Sequence, residues 1–173
     1  MTEQIRAEAG ALEDTLREQE RLLEQLYECA CRKERALIEN DLNGLKRAVE
    51  NEEDLTPLLR EKEGPRQGTA LRLAGLLGLR AQKPSLRELA GALADREAAD
   101  RLREAGGRMS EAVARLQRKN STVRELLTLK SEYTDTLLRQ IAGNPEPEQY
   151  GYGKSGEMVE SRNPERGIYE VLI

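Results

Sequence analysis

Apolar side chains recur at alternating spacings of three and four along the first forty residues. This spacing places them on one face of an α-helix and is typical of a coiled-coil seam, here with polar substitutions at Gln19 and Lys33. We therefore predict a helix over roughly residues 3–39, about 50 Å long at 1.5 Å per residue, and an elongated molecule. The seam positions are Ile5, Ala9, Leu12, Leu16, Gln19, Leu23, Leu26, Ala30, Lys33 and Leu37.

The segment Asn40–Leu45 interrupts this pattern and predicts a tight turn between two helices. Asp41 is well suited to cap a second helix, because its short side chain can accept a hydrogen bond from a backbone N–H of the first turn. The two helices would form an antiparallel hairpin. Pro57 and the pair Gly64-Pro65 lie inside the second helix, over roughly residues 42–77, and we expect kinks or breaks near both.

The region after residue 77 predicts a loop and two further helices. Gly78 and Pro84 bound the loop, and Ser85 with Glu88 has the spacing of a capping box that opens a short helix over residues 85–94. Asp95 is expected to cap the last helix, over residues 95–142, where Asn120 is a polar seam residue suited to fixing register. The seam of this helix runs through Leu102, Gly106, Met109, Val113, Leu116, Asn120, Val123, Leu127, Lys130, Thr134, Leu137 and Ile141.

These elements predict an all-α fold: an elongated antiparallel helical hairpin or coiled-coil bundle over residues 1–142. Residues 143–173 are rich in Gly and Pro and predict a flexible C-terminal tail. The tail contains Tyr150, Tyr152 and Tyr169 and includes a cluster of strand-like composition, residues 167–173. This cluster is a sequence left by cloning, a segment that docks on the helices, or a recognition or self-masking segment, and composition does not decide among the three.

Composition argues against enzymatic chemistry. The 173 residues include no His, Trp or Phe, so the usual general base and the commonest metal ligand are missing. The stretch Gly151–Gly156 resembles a phosphate-binding loop only superficially, because Glu148 stands where that motif requires Gly. Cys29 and Cys31 point to nearly opposite sides of a helix and are expected to be free. We predict no catalytic residue, no bound metal and no cofactor.

The charges are unevenly distributed although the net charge is only −4. Acids outnumber bases in residues 1–40, whereas bases outnumber acids in residues 78–142. We expect these two segments to pack antiparallel as oppositely charged helices. A nucleic-acid surface is the alternative, but the bases alternate with acids and lack interleaved aromatic residues. Neither a membrane span nor a signal peptide is evident, which predicts a cytoplasmic protein without membrane insertion.

The last helix has more apolar residues than one seam requires, notably around Leu126, Leu127 and Leu129 and at Leu137 and Leu138. A second apolar stripe commonly marks a groove for another helix. The alternative is that these additional apolar residues pack against the helical residues near 70–93.

Two stretches resemble the FlgN-like flagellar export chaperones. The first is the transition between helices from Ala36 to Leu45, followed by Val49 and Glu52-Glu53, and the second runs from Leu116 to Leu127 and includes Tyr133 further on. The Tyr- and Gly-containing stretch from Tyr150 to Gly156 is also similar to the family. Pro57 and Gly64-Pro65 depart from the family's smoother second helix.

The resemblance implies a cytoplasmic chaperone that binds the C-terminal helices of the hook-associated proteins FlgK and FlgL. It would prevent their premature assembly and deliver them to the flagellar type III export apparatus. Transferred to this sequence, the resemblance places partner-binding residues at Leu116, Asn120, Val123, Leu127, Tyr133 and Leu137. The alternative is a coiled-coil scaffold or homo-oligomeric adaptor without a client, in which the surplus apolar stripe closes a homodimer.

Overall fold

The computed structural model describes residues 2–141, which form four α-helices in the order α1 (Glu3–Glu39), α2 (Leu42–Leu76), α3 (Leu86–Ala92) and α4 (Arg96–Ile141). The all-α prediction is confirmed, since the described residues include no strand. The observed bounds lie close to the predicted ones. The predicted flexible tail, residues 143–173, lies outside the described residues.

The predicted helix caps are present. The Asp41 carboxylate accepts a hydrogen bond from the Gly44 N–H, and the Asp95 carboxylate accepts from the N–H groups of Glu97 and Ala98. Ser85 and Glu88 form the complete capping box at the start of α3. These bonds satisfy N–H groups that have no partner inside the helix, and they fix where α2, α3 and α4 begin.

Of the kinks or breaks predicted near Pro57 and Gly64-Pro65, a break is wrong, because helix α2 continues through Pro57 and Pro65. Each proline removes a backbone hydrogen bond, which disfavours an isolated helix at that point. Packing on α1 offsets the loss, because α2 buries side chains before, between and after the two prolines, at Ala48, Leu59 and Thr69.

Helix α1 is the central helix of the bundle, and α2 packs antiparallel to it. Ion pairs along their length define the direction: Lys33 pairs with Glu52 at 2.6 Å, Lys62 with Glu18 at 2.6 Å and Arg72 with Glu8 at 3.0 Å. As the residue number rises on one helix it falls on the other. The predicted antiparallel hairpin is confirmed.

Helix α4 packs on another face of α1, and the two helices run parallel. Arg101 pairs with Glu13 at 3.3 Å, Arg108 with Glu20 at 3.2 Å and Lys119 with Glu34 at 2.7 Å. The predicted charge complementarity of these segments is confirmed, but the predicted antiparallel direction is wrong. Helix α2 returns the chain to the start of α1. Because α3 is short, α4 begins near the same end of the bundle and runs alongside α1 in the same direction.

The core is a narrow layer of aliphatic side chains between α1 and its two neighbours. Helices α2 and α4 pack on α1 rather than on each other, and α3 packs mainly on α4. Most predicted seam positions of α1 are buried, including Gln19, whereas Ile5 and Lys33 are half-buried. The fully buried large residues are Leu12, Leu16, Gln19, Leu23, Leu73, Leu89, Leu102 and Leu116. In the described residues, no helix is both long and apolar enough to cross a membrane.

Candidate partner-binding surface

Helix α4 extends past the end of the helix on which it packs. Helix α1 ends at Glu39, and the next residue, Asn40, accepts a hydrogen bond through its side-chain oxygen from Lys130 Nζ. Beyond this contact α4 continues for eleven residues to Ile141, which adds about 16 Å at 1.5 Å per residue. All of the side chains in this overhang, residues 131–141, are exposed.

The end of α4 is amphipathic although most of it is exposed. At about 100° per residue, one half of the helix surface carries nearly all of the apolar side chains and the other half is polar. The apolar half also contains Lys130, Thr134 and Gln140. We call its apolar members the apolar face: Leu126, Leu127, Leu129, Tyr133, Leu137, Leu138 and Ile141. The polar half consists of Arg124, Glu125, Thr128, Ser131, Glu132, Asp135, Thr136 and Arg139.

The apolar face continues the side of α4 that packs on α1 nearer the middle of the bundle. Leu116 and Val123 are buried there, and Lys130 reaches the end of α1. Among residues 2–141, no helix packs against the same side of α4 once α1 ends. Two exposed residues near the hairpin turn, Ile38 and Leu42, lie two positions before and after Asn40 in the sequence.

The structure divides the six predicted partner-binding residues into two groups. Leu116 is 1% exposed and Val123 is 3% exposed, so both belong to the core in this conformation. Asn120 is half-buried between them on the seam. Leu127, Tyr133 and Leu137 are 44%, 66% and 37% exposed and lie on the apolar face, where their role in binding remains a prediction.

The predicted site omitted Leu129, Leu138 and Ile141, which belong to the same face. The sequence marks Leu129 and Leu138 as part of a second apolar stripe and Ile141 as a seam position, and the amphipathic division of residues 124–141 places all three on one face. Ile38 and Leu42 were also omitted. Nothing near them in the sequence shows that the hairpin turn lies beside α4, so only the tertiary structure connects them with this surface.

A cluster of charged and aromatic side chains fastens α4 to α1 just before the apolar face begins. The Arg115 guanidinium pairs with Glu24 and lies 4.3 Å from the centre of the Tyr27 ring, a cation–π contact. The hydrogen bond to the Glu34 carboxylate raises the pKa of Lys119, which therefore remains charged at neutral pH. These contacts hold the middle of α4 against α1.

A second polar cluster lies between α1 and α2. Gln19 is fully buried and donates a hydrogen bond from Nε2 to the Glu63 carboxylate at 3.3 Å. Glu63 also accepts hydrogen bonds from Arg66 and Gln67. Burial acts to raise the pKa of Glu63, but these hydrogen bonds and the Arg66 charge outweigh it and hold the pKa below its ordinary value of 4.5.

The cysteines and carboxylates do not assemble into a reactive centre in the part of the chain that is described. Cys29 is buried, Cys31 is half-buried and both are free. Burial raises the pKa of the Cys29 thiol, which disfavours the nucleophilic thiolate. Within residues 2–141, no group of three or more His, Cys, Asp or Glu residues could hold a metal ion.

The fold and the uncovered face together define a helical bundle with a surface suited to binding another amphipathic helix. A family model described as FlgN protein matches residues 1–160, and the chain belongs to the FlgN family. Members of this family are flagellar export chaperones and not enzymes, which gives the chain its general role. No curated protein and no solved structure matches the chain.

Proposed function

We propose that the chain binds the C-terminal helices of the hook-associated proteins FlgK and FlgL on the apolar face of α4. Bound in this way, the client helices cannot assemble prematurely, and the complex is delivered to the flagellar export apparatus from the cytoplasm. FlgN-family membership supports the chaperone role in general. The observation that carries the proposed site is the uncovered amphipathic end of α4.

We infer that one more helix fits beside the apolar face. Residues 96–130 of α4 lie alongside α1, whereas residues 131–141 extend beyond Asn40 and are exposed within the described part of the chain. A client helix lying there would continue the path of α1 and bury the same side of α4 that α1 buries nearer the middle of the bundle. Ile38 and Leu42 would contact the end of such a helix. This is recognition of an amphipathic helix by an apolar groove, in which aliphatic and aromatic side chains provide most of the affinity.

The polar members of the apolar half would limit which helices bind. Lys130 and Thr134 lie within it and need polar or acidic partners once they are covered. A client helix with an acidic or hydroxyl side chain among its apolar residues satisfies this requirement, whereas a uniformly apolar helix leaves the Lys130 charge without a partner beyond Asn40.

The test compares two substitutions at neighbouring positions of the overhang. Leu137→Asp places a charge on the apolar face, and Thr136→Asp places the same charge on the polar half. Both positions are exposed, so we expect both variants to keep the helical circular dichroism of the parent chain. Calorimetric titration with the C-terminal helical peptides of FlgK and FlgL should show at least about 10-fold weaker binding for Leu137→Asp, and little change for Thr136→Asp.

Equal binding by both variants would reject the apolar face as the site. Light scattering on the parent chain tests the alternative of a homo-oligomeric scaffold. A monomer that forms a 1:1 complex with the peptide agrees with the chaperone proposal. A dimer that survives dilution and binds neither peptide would support the scaffold instead.

A further inference from the structure

The apolar face is uncovered in the described part of the chain, and the same chain carries an apolar cluster that could cover it. We propose that residues 167–173, here called the tail segment, dock on the apolar face of their own α4 when no client is bound. The inference rests on the proposed function only in assigning client binding to the same face. The tail segment lies outside the described residues, and its amino-acid sequence and its distance from α4 along the chain support the proposal.

The tail segment is the strongest concentration of apolar residues after α4. Five of its seven residues, Ile168, Tyr169, Val171, Leu172 and Ile173, are aliphatic or aromatic. The preceding residues 142–166 contain only scattered apolar positions among Gly, Pro, Asn and charged residues. The hydrophobic effect therefore favours burial of the tail segment more than of any other part of residues 142–173.

The connecting residues are long enough to bring the two surfaces together. Residues 142–166 number 25, and a random-coil chain of that length has a root-mean-square end-to-end distance of about 28 Å, from about 5.5 Å multiplied by the square root of the residue number. The apolar face extends about 22 Å along α4 from Leu126 to Ile141 at 1.5 Å per residue. A tether whose length matches the span gives an effective concentration on the order of millimolar, so even a weak contact would be substantially occupied.

The few charges on the two surfaces are complementary. Lys130 is the single charged residue in the apolar half of residues 126–141, and Glu170 is the single charged residue of the tail segment. An ion pair between them would give Lys130 an acidic partner in the covered state. Such a pair fixes the register of the segment more than it adds affinity.

Self-docking would make the tail segment a competitor of the client. The apparent affinity for a client falls by the fraction of molecules in which the face is free. For a face that is covered in half to nine-tenths of molecules, removing the competitor strengthens client binding by roughly 2- to 10-fold. The competition would keep the apolar face covered before a client arrives, and this limits association between chaperone molecules.

The test uses two Val→Asp variants of the full chain and needs no client. Val171→Asp disrupts the tail segment, and Val159→Asp makes the same change among the connecting residues. Amide hydrogen exchange of residues 131–141 should be roughly 2- to 10-fold faster in Val171→Asp than in the parent chain, because an undocked overhang is a marginal helix. Exchange in Val159→Asp should equal that of the parent.

Equal exchange in all three chains would overturn the proposal. Protection that increases with protein concentration would also overturn it, because a second copy rather than the tail segment would then cover the face. A client titration on the same variants separates this proposal from the proposed function. If Val171→Asp exchanges faster but no variant binds FlgK or FlgL helices, the self-docking stands and the client assignment fails.

Discussion

Leu116 and Leu127 are the same residue type on the same side of one helix, three turns apart, yet one is 1% exposed and the other 44%. The difference arises because α1 covers α4 at Leu116, whereas Leu127 lies close to the end of α1. Whether an apolar side chain of α4 is buried thus depends on whether α1 extends alongside it. Residue identity alone therefore does not distinguish a buried position from an exposed one on this helix.

Truncating the two leucines should have unequal effects on stability. Leu116→Ala removes buried methyl groups and leaves a cavity, so the free energy of unfolding should fall by about 2–4 kcal/mol. Leu127→Ala removes groups that are nearly half in contact with water, and the loss should stay below about 1 kcal/mol. Urea unfolding monitored by circular dichroism measures both, and equal losses would contradict the burial difference.

Glu63 makes the stability of the α1–α2 hairpin sensitive to acid. Its pKa is held below 4.5 in the folded chain, mainly by hydrogen bonds from Arg66 and Gln67 that outweigh burial. A carboxyl whose pKa is lower in the folded state stabilises the fold above its unfolded pKa, and this contribution is lost as the pH falls through the folded pKa. Stability should therefore decline as the pH falls from 4.5.

The loss of stability in acid should be smaller in Glu63→Gln, because the glutamine side chain is not protonated in this pH range. Glu61→Gln is the matched control, since Glu61 is exposed two positions away. The urea midpoint measured between neutral pH and acid separates the variants. If Glu63→Gln and Glu61→Gln show the same pH profile, Glu63 does not supply this sensitivity.

At the scale of the element, α4 contains two adjacent glycines in different surroundings. A Cβ at Gly107 would meet no atom within 4 Å, whereas a Cβ at Gly106 would lie 3.0 Å from Leu86 Cδ1 of α3. Gly106 thus lets α3 approach α4 closely. Gly107 has no such contact and only lowers the helix propensity of α4.

Replacing each glycine by alanine should separate helix propensity from packing. Gly107→Ala should raise the free energy of unfolding by about 0.5–1 kcal/mol, since alanine favours the helix over glycine by that amount. Gly106→Ala should gain less, because the Leu86 side chain must shift by a few tenths of an ångström. Thermal or urea unfolding of the pair checks this order, and a larger gain for Gly106→Ala would contradict the close contact with α3.

Element boundaries were predictable where a local signal defines them. Asp41, Ser85 and Asp95 bond backbone groups two or three residues away, so their roles follow from the sequence around them. The continuity of α2 was not predictable in this way. Pro57 and Pro65 are strong local signals for a break, and only the contacts that α2 makes with α1 over its whole length outweigh them.

At the scale of the molecule, the hairpin and its seam were predictable, but the direction of α4 and the exposure of its end were not. A turn as short as Asn40-Asp41 makes the two helices that it joins pack antiparallel. The direction of α4 depends on which end of the α1–α2 hairpin α3 lies near. The candidate site is uncovered because α4, which ends at Ile141, extends beyond the end of α1 at Glu39. The hydrophobic periodicity of the sequence does not predict how far one helix extends past the other. Family membership, expected from the residues near Ala36–Leu45 and Leu116–Leu127, is confirmed by the match over residues 1–160.

The central position of α1 also has a consequence for the order in which the chain folds. The α1–α2 ion pairs span 19 positions in Lys33–Glu52 and 64 in Glu8–Arg72, whereas the α1–α4 ion pair between Arg108 and Glu20 spans 88 positions. Closing the longer loop costs more conformational entropy, and the hairpin can form before α4 has been synthesised. Until α4 is present, the side of α1 that it covers is therefore exposed to water, and the hairpin then acts as the template on which α4 aligns.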